Sequence, residues 1–193
     1  STAQSHRRVM VGELMGRYAG WIALNAGGSG GADVILLPEI PFDMEAVCDK
    51  IRDRERRQKH FSIVVASEGA LPKGGARVLK EGATADHVER LGGIAEWIGR
   101  EIPKRTGKET RSLVLGHLQR GGQPTTFDRL LATRLGSAAV RLVAEGKFNR
   151  MVALRTPRIV SIPLTQAIKR LKTVPLDHDT ITSARAMGIS FGD

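Results

Sequence analysis

The residues Gly116-His117-Leu118-Gln119-Arg120-Gly121-Gly122 put an imidazole and a guanidinium three positions apart on a glycine-flanked loop, directly after the apolar run Ser112 to Leu115. Loops that leave strands are where an open α/β sheet binds its ligand. An arginine fork matches phosphate oxygens, a histidine adds a donor of adjustable charge, and glycines let the backbone itself approach an anion. Such a pair serves a purely structural loop as readily as a phosphate ester, so the other strand ends have to be read with it. In Gly12-Glu13-Leu14-Met15-Gly16-Arg17-Tyr18-Ala19-Gly20-Trp21 a strand turns into a helix. Backbone N–H groups at a helix start favour anions, and Arg17 is expected to project from the first turn. In Ser67-Glu68-Gly69, again just after a strand, Glu68 is an acceptor only, unsuited to phosphate and suited to hydroxyl groups. Cations for phosphate and an acid for hydroxyls are what a sugar phosphate needs.

These loops need a scaffold, and the chain supplies alternating patterns for one. Strands are expected at Val9 to Val11, Val34 to Leu37, Ile63 to Ala66, Leu113 to Leu115 and Met151 to Leu154. Helices are expected at about Ala19 to Ala26, Met44 to Gln58, Asp86 to Ile102 and Asp128 to Glu145. That alternation predicts a parallel α/β sheet. Asp43 is placed to cap the second helix, whose mixed-charge tail, residues 52–60, reads as a solvated face. The loop Gly69 to Thr84 is the longest irregular stretch. Gly27-Gly28-Ser29-Gly30-Gly31 follows a helix and leads into a strand, the reverse of a dinucleotide-binding loop, and so predicts a helix end and tight turn. A Walker A loop and spaced Cys/His zinc ligands are both missing from the sequence.

At 193 residues and 41% hydrophobic content the chain can form one domain or two small ones. Thirty Lys and Arg against 20 Asp and Glu leave a formal charge of +10, which favours anionic partners without choosing among them. Five Phe, two Trp and one Tyr are too few for the stacking platforms of a single-strand nucleic-acid groove, and no helix-turn-helix or basic stripe is evident. Cys48, the lone cysteine, excludes an internal disulfide, fits a reducing cytoplasm, and is expected half-buried on a helix. No apolar run approaches the roughly 18 residues of a membrane span. The expectation is a cytoplasmic protein that binds neither nucleic acid nor membrane. A start at Ser1, almost at once followed by the apolar run Val9 to Val11, leads us to expect a piece of a longer protein.

Four ordered segments then carry a resemblance: Glu13 to Trp21; Gly30-Gly31-Ala32-Asp33 with Pro38-Glu39; Ser67-Glu68-Gly69; and Glu109-Thr110-Arg111 through Gly122, with Phe127-Asp128-Arg129 beyond. In order and spacing they resemble the second half of a 6-phosphofructokinase, while the tail from Pro157 matches loosely. The resemblance implies a Rossmann-like three-layer parallel sheet, the second lobe of the phosphofructokinase fold. It implies a sugar-phosphate lobe formed by residues 1–118 and 174–193, with residues 119–173 packing on a missing nucleotide lobe. It implies that Met15, Gly16, Arg17 and Glu68 contact fructose 6-phosphate, that His117 and Arg120 hold its 6-phosphate, and that Arg8 and Arg111 reach the phosphate of a neighbouring subunit in a homotetramer or dimer. Asp33, Arg57 and Lys59 fall where bacterial members bind a regulatory nucleotide. The general-base aspartate and most of the Mg2+ site belong to the missing half, so no catalytic residue is expected in this chain and ATP is not separable from pyrophosphate as donor. A non-enzymatic sugar-phosphate-sensing module of the same fold remains the alternative, ahead of a basic nucleic-acid-binding domain.

Overall fold

The computed structural model describes residues 2–75, 79–81 and 90–193. The elements in chain order are α1 (Thr2–His6), β1 (Val9–Leu14), α2 (Trp21–Ser29), β2 (Val34–Leu36), α3 (Met44–Arg56), β3 (Ser62–Ser67), β4 (Leu79–Glu81), β5 (Arg90–Leu91), α4 (Ile94–Thr106), β6 (Thr110–Val114), a 3-10 turn (Gly116–Arg120), α5 (Thr126–Ala144), β7 (Arg150–Arg155), β8 (Arg158–Pro163), α6 (Leu164–Ala167) and α7 (Asp179–Ala186). They form two compact units, one of Ser1–Gln119 with Thr173–Asp193 and one of Arg120–Lys172.

The first unit is built on a parallel sheet of order β2-β3-β1-β6. Residues of β1, β2 and β3 alternate between two apolar layers, while β6 at the edge stays largely exposed. Val9, Val11, Val34, Leu36, Val64 and Ala66 face α3 and α4, meeting Val47, Ile51, Ile98 and Ile102. Ile35, Leu37, Ile63 and Val65 face the opposite way, toward Ala23 and Leu24 of α2 and Ile181 and Ala184 of α7. The three-layer expectation is met. The tail also completes the sheet edge: the Ile35 N–H donates to the Ser190 carbonyl at 2.9 Å and the Ser190 N–H to the Asp33 carbonyl at 3.0 Å. An edge that would otherwise offer open backbone groups is thereby closed.

Local signals place most boundaries. Asp43 caps α3 by accepting from the Glu45 N–H at 2.8 Å, as expected. α2 runs through Gly27 and Gly28, and the turn into β2 is made at Gly31, whose φ of +70° suits glycine. Cys48 is fully buried rather than half-buried. The expected helix Asp86 to Ile102 instead begins at Ile94, after the short strand at Arg90–Leu91; residues 86–89 lie outside the described residues. The loop from Gly69 includes β4, and residues 76–78 and 82–84 likewise lie outside the described residues.

Met151 to Leu154 is a strand, but an antiparallel one, in the β7–β8 hairpin of the second unit rather than in the parallel sheet. The two-residue connection between β7 and β8 leaves no room for the crossover that parallel pairing needs. Helix α5, started by a capping box between Thr125 and Asp128, contacts this hairpin. Leu131, Leu135, Ala139 and Leu142 are half-buried; Ala139 and Leu142 line a small cleft with Val152. The uncovered apolar residues lie one step round the helix: Phe127, Leu130, Val140 and Val143 are 58–68% exposed. No residue of 120–172 is fully buried.

Two variants test this architecture. Gly69 approaches the β1 exit so closely that an added Cβ would stand 2.0 Å from the Arg17 carbonyl oxygen. Gly69→Ala is therefore expected to destabilise the first unit by about 2 kcal/mol or more, the upper part of the overpacking range, measured by urea unfolding. A loss within about 0.5 kcal/mol, the level of a surface change, would show that this joint yields. Glu45 accepts from Arg52 at 2.6 Å and from Arg105 at 3.3 Å, joining α3 to α4, and these guanidinium bonds hold its carboxyl below the ordinary range. A lowered carboxyl contributes stability that is present above its unfolded value and lost as pH falls through the folded one. The melting-temperature deficit of Glu45→Gln at pH 7 should therefore persist through the ordinary carboxylate range and shrink only as pH falls below it.

Candidate functional site

The site is assembled where β1, β3 and β6 end. Just past β1, two consecutive peptide N–H groups are taken by side chains from the flanking strands: Met15 N–H donates to Gln119 Oε1 and Gly16 N–H to Glu68 Oε1, both at 3.2 Å. The Gly16 carbonyl in turn accepts from Ser67 Oγ at 2.7 Å and from the Gly69 N–H at 3.1 Å. Gly16 has φ of +154°, and a Cβ there would lie 2.2 Å from Ser67 Oγ, so this crossing requires glycine. Buried Glu13, on β1 itself, accepts from the Ala95 N–H at 3.1 Å, where the N-terminal end of α4 offers backbone donors to a carboxylate.

Glu68 is half-buried with one oxygen on the Gly16 peptide, an arrangement that fixes its carboxylate at the rim as a hydrogen-bond acceptor. Across β1, Gly116 turns with φ of +49° into the 3-10 turn that carries His117, which is exposed. Gln119 Nε2 closes this turn on the Gly116 carbonyl at 3.1 Å. Arg120 is the last residue of the turn and also exposed. Met15, Gly16, Glu68 and His117 thus come together at the carboxyl ends of the strands, where a parallel sheet presents its loops to a ligand.

Arg17 is placed differently from expectation. It lies on the bend before α2, not in its first turn, and its Nε donates to Tyr18 Oη at 3.0 Å with the guanidinium 5.3 Å from the Tyr18 ring centre. The anion at the start of α2 is the chain's own: the Gly20 N–H donates to both oxygens of Glu39, at 3.1 and 3.2 Å, and Glu39 also accepts from the Val174 N–H at 2.8 Å. Glu39 and Gln119 both stand in the segments singled out from the sequence, yet linear spacing gives no sign that their partners lie 19 and 135 positions away for Glu39, and 104 for Gln119.

Arg8 and Arg111 are at the other end of the sheet. Arg8 precedes Val9, Arg111 pairs in register with Met10, and both bind Glu109, at 2.8 and 2.9 Å. The Arg8 guanidinium beside it holds the Glu109 carboxyl below its ordinary range. The length of β1, at about 3.3 Å per residue, separates Arg8 from Met15 by roughly 20 Å, beyond the reach of an arginine side chain.

Asp33, Arg57 and Lys59 line a third region, a cleft of about 380 Å³ bounded also by Lys50, Arg54 and Gly188. Asp33 is buried, with Arg54 at 2.6 Å on one oxygen and the Ile63 N–H at 2.9 Å on the other. Burial pushes its carboxyl above the ordinary range, against the pull of these two partners. Arg57 is exposed and pairs with Asp53 at 2.9 Å. Among the described residues no group of three or more His, Cys, Asp or Glu could hold a metal ion, and no helix is long and apolar enough to cross a membrane.

Comparison with known proteins bears on this geometry. The chain is 52% identical over its whole length to an ATP-dependent 6-phosphofructokinase of Chloroflexus aurantiacus, of which it covers 52%. It is 54% identical, over 91% of its length, to a pyrophosphate–fructose 6-phosphate 1-phosphotransferase of Amycolatopsis methanolica, of which it covers 51%. The chain therefore spans about half the length of the curated relatives it matches. Among solved structures, a pyrophosphate-dependent phosphofructokinase from Marinobacter aquaeolei superposes with a TM-score of 0.71 at 26% identity, over 95% of this chain and 48% of that one. The family model described as phosphofructokinase matches residues 1–143, a span that contains all three strand ends of the site, and the chain belongs to that family.

Proposed function

We propose that this chain is the sugar-phosphate-binding half of a cytoplasmic 6-phosphofructokinase, which transfers a phosphoryl group from ATP or pyrophosphate to the 1-hydroxyl of fructose 6-phosphate. The observation that carries the reading is the convergence of Glu68, the Met15–Gly16 backbone and His117 on one end of the sheet. Glu68 accepts hydrogen bonds from sugar hydroxyls, Met15 and Gly16 form the floor of the sugar site, and Arg17 lies toward the end that receives the phosphoryl group. His117 and Arg120, three positions apart on one turn, bind the 6-phosphate. The donor, its Mg2+ and the general base belong to the half of the relatives' length that this chain does not span.

The roughly 20 Å between Arg8 and Met15 supports a shared site, since neither Arg8 nor Arg111 can serve a phosphate bound in its own chain. Each pairs instead with the phosphate of a neighbouring subunit in a homotetramer or dimer. At the third region, Arg57 and Lys59 with Lys50 form the cationic wall of an effector site, and Asp33 braces it through Arg54. The second unit, with Phe127, Leu130, Val140 and Val143 uncovered, packs those residues on the nucleotide-binding half.

Two measurements test the reading. Arg120→Ala in the intact enzyme should lose about 2–4 kcal/mol of fructose 6-phosphate affinity, the cost of removing one partner of a charge-assisted pair, and leave donor affinity nearly unchanged. Equal losses for donor and sugar phosphate by isothermal titration would overturn the phosphate assignment. The isolated 193-residue chain should read at background in a coupled assay with fructose 6-phosphate, Mg2+ and either donor, because it can position only one of the two reactants. Turnover by the chain alone, abolished by replacing one of its own acids, would place the catalytic apparatus here.

A further inference from the structure

The ladder between β1 and β6 breaks in an informative way. Its last backbone bond runs from the Leu115 N–H to the Glu13 carbonyl, at 3.2 Å. In an unbroken parallel ladder the next bond would run from the Met15 N–H to the Leu115 carbonyl. That carbonyl instead accepts from the Leu118 N–H at 3.1 Å, because the chain has already turned into the Gly116–Arg120 segment. The Met15 N–H is met by Gln119 Oε1, and the same amide spends its Nε2 on the Gly116 carbonyl. One side chain thus stands in for the missing ladder bond and closes the turn that carries His117. A carboxylate in its place would oppose the Gly116 carbonyl, and an ammonium could not accept from Met15, so the amide is the group that satisfies both ends.

We propose that Gln119 is a positioning residue for sugar-phosphate binding, holding the His117 turn in register with the Met15–Gly16 backbone. The inference rests on the reading of His117 as a phosphate-binding residue. Without the Gln119 amide the Met15 N–H loses its partner, and residues 115–119 are drawn back toward the extended strand to supply one. That movement carries His117 away from the turn while Glu68, held from the β3 side, keeps its place. The distance between the hydroxyl-binding and phosphate-binding ends of the site then changes, and a ligand that must engage both is weakened.

The test is a double-mutant cycle in the intact enzyme. Gln119→Met keeps the length and removes both hydrogen bonds; it should raise KM for fructose 6-phosphate roughly tenfold, the effect of one or two lost hydrogen bonds, with donor KM and melting temperature little changed. In a His117→Ala background the same substitution should add less than about twofold, since coupled residues do not add. Gln119→Glu, which keeps the acceptor for Met15 but sets a carboxylate oxygen against the Gly116 carbonyl, should raise KM for fructose 6-phosphate at least as much as Gln119→Met, and carries the cycle if the methionine variant does not fold. Equal effects in both backgrounds, an equal rise in donor KM, or a lowered melting temperature with fructose 6-phosphate affinity intact would overturn the positioning role. An unaffected Gln119→Met beside an impaired His117→Ala would overturn it while leaving the site reading in place. A His117→Ala enzyme with unchanged KM would overturn both.

Discussion

The structure of the first unit depends on one crossing, where the peptide at Gly16 is gripped from the neighbouring strand. Its N–H donates to Glu68, and its carbonyl accepts from Ser67 Oγ and the Gly69 N–H. Glycine at 16 and at 69 lets the two backbones come this close, since a side chain on either would collide with Ser67 Oγ or with the Arg17 carbonyl. The same contact that joins β1 to β3 beyond their ladder also sets the orientation of the Glu68 carboxylate. Stability and site geometry are therefore carried by the same hydrogen bonds, and a backbone shift here moves the acceptor group with it.

Much of this was legible in the residues. Strand runs such as Val34 to Leu37 and Ile63 to Ala66 were readable because a parallel strand buried on both faces is apolar throughout. Asp43 announced the start of α3 by capping chemistry. What local pattern could not supply was partner choice. Met151 to Leu154 has the composition of a core strand, yet its neighbour is the strand just after it, and nothing in its own residues separates the two outcomes. Arg17 reads as part of a helix start because Ala19 to Ala26 has a helical pattern, whereas the helix starts at Trp21, where Gly20 meets the carboxylate of Glu39. The candidate residues Glu68 and His117 were identifiable from residue type and strand-end position. Gln119 was not, because its bond to Met15 spans 104 positions.

The two units differ in how they hold themselves together. The first has two apolar layers with many side chains wholly out of water, including Phe42, Leu24 and Ile98. The second has a capped helix and a hairpin but no fully buried residue, so hydrogen bonding specifies its local shape without a core to stabilise it. A helix of 19 residues with large apolar groups on its open side is what a surface prepared for burial against other protein looks like.

The tail of the first unit has a consequence for the order in which the chain can fold as it is synthesised. Val174, Ile181, Ala184 and Phe191 are all buried in the layer that also holds Leu24, Ile35 and Leu37. That layer lacks its cover until residues 174–191 have been made, while the α3–α4 layer is complete in residues 9–102. A nascent chain thus passes through a stage with one face of the sheet sealed and the other open, and the 53-residue second unit emerges during that interval. Loss of residues 173–193, by proteolysis at their exposed start, would leave a molecule with that face of the sheet open, a natural client for chaperones and proteases.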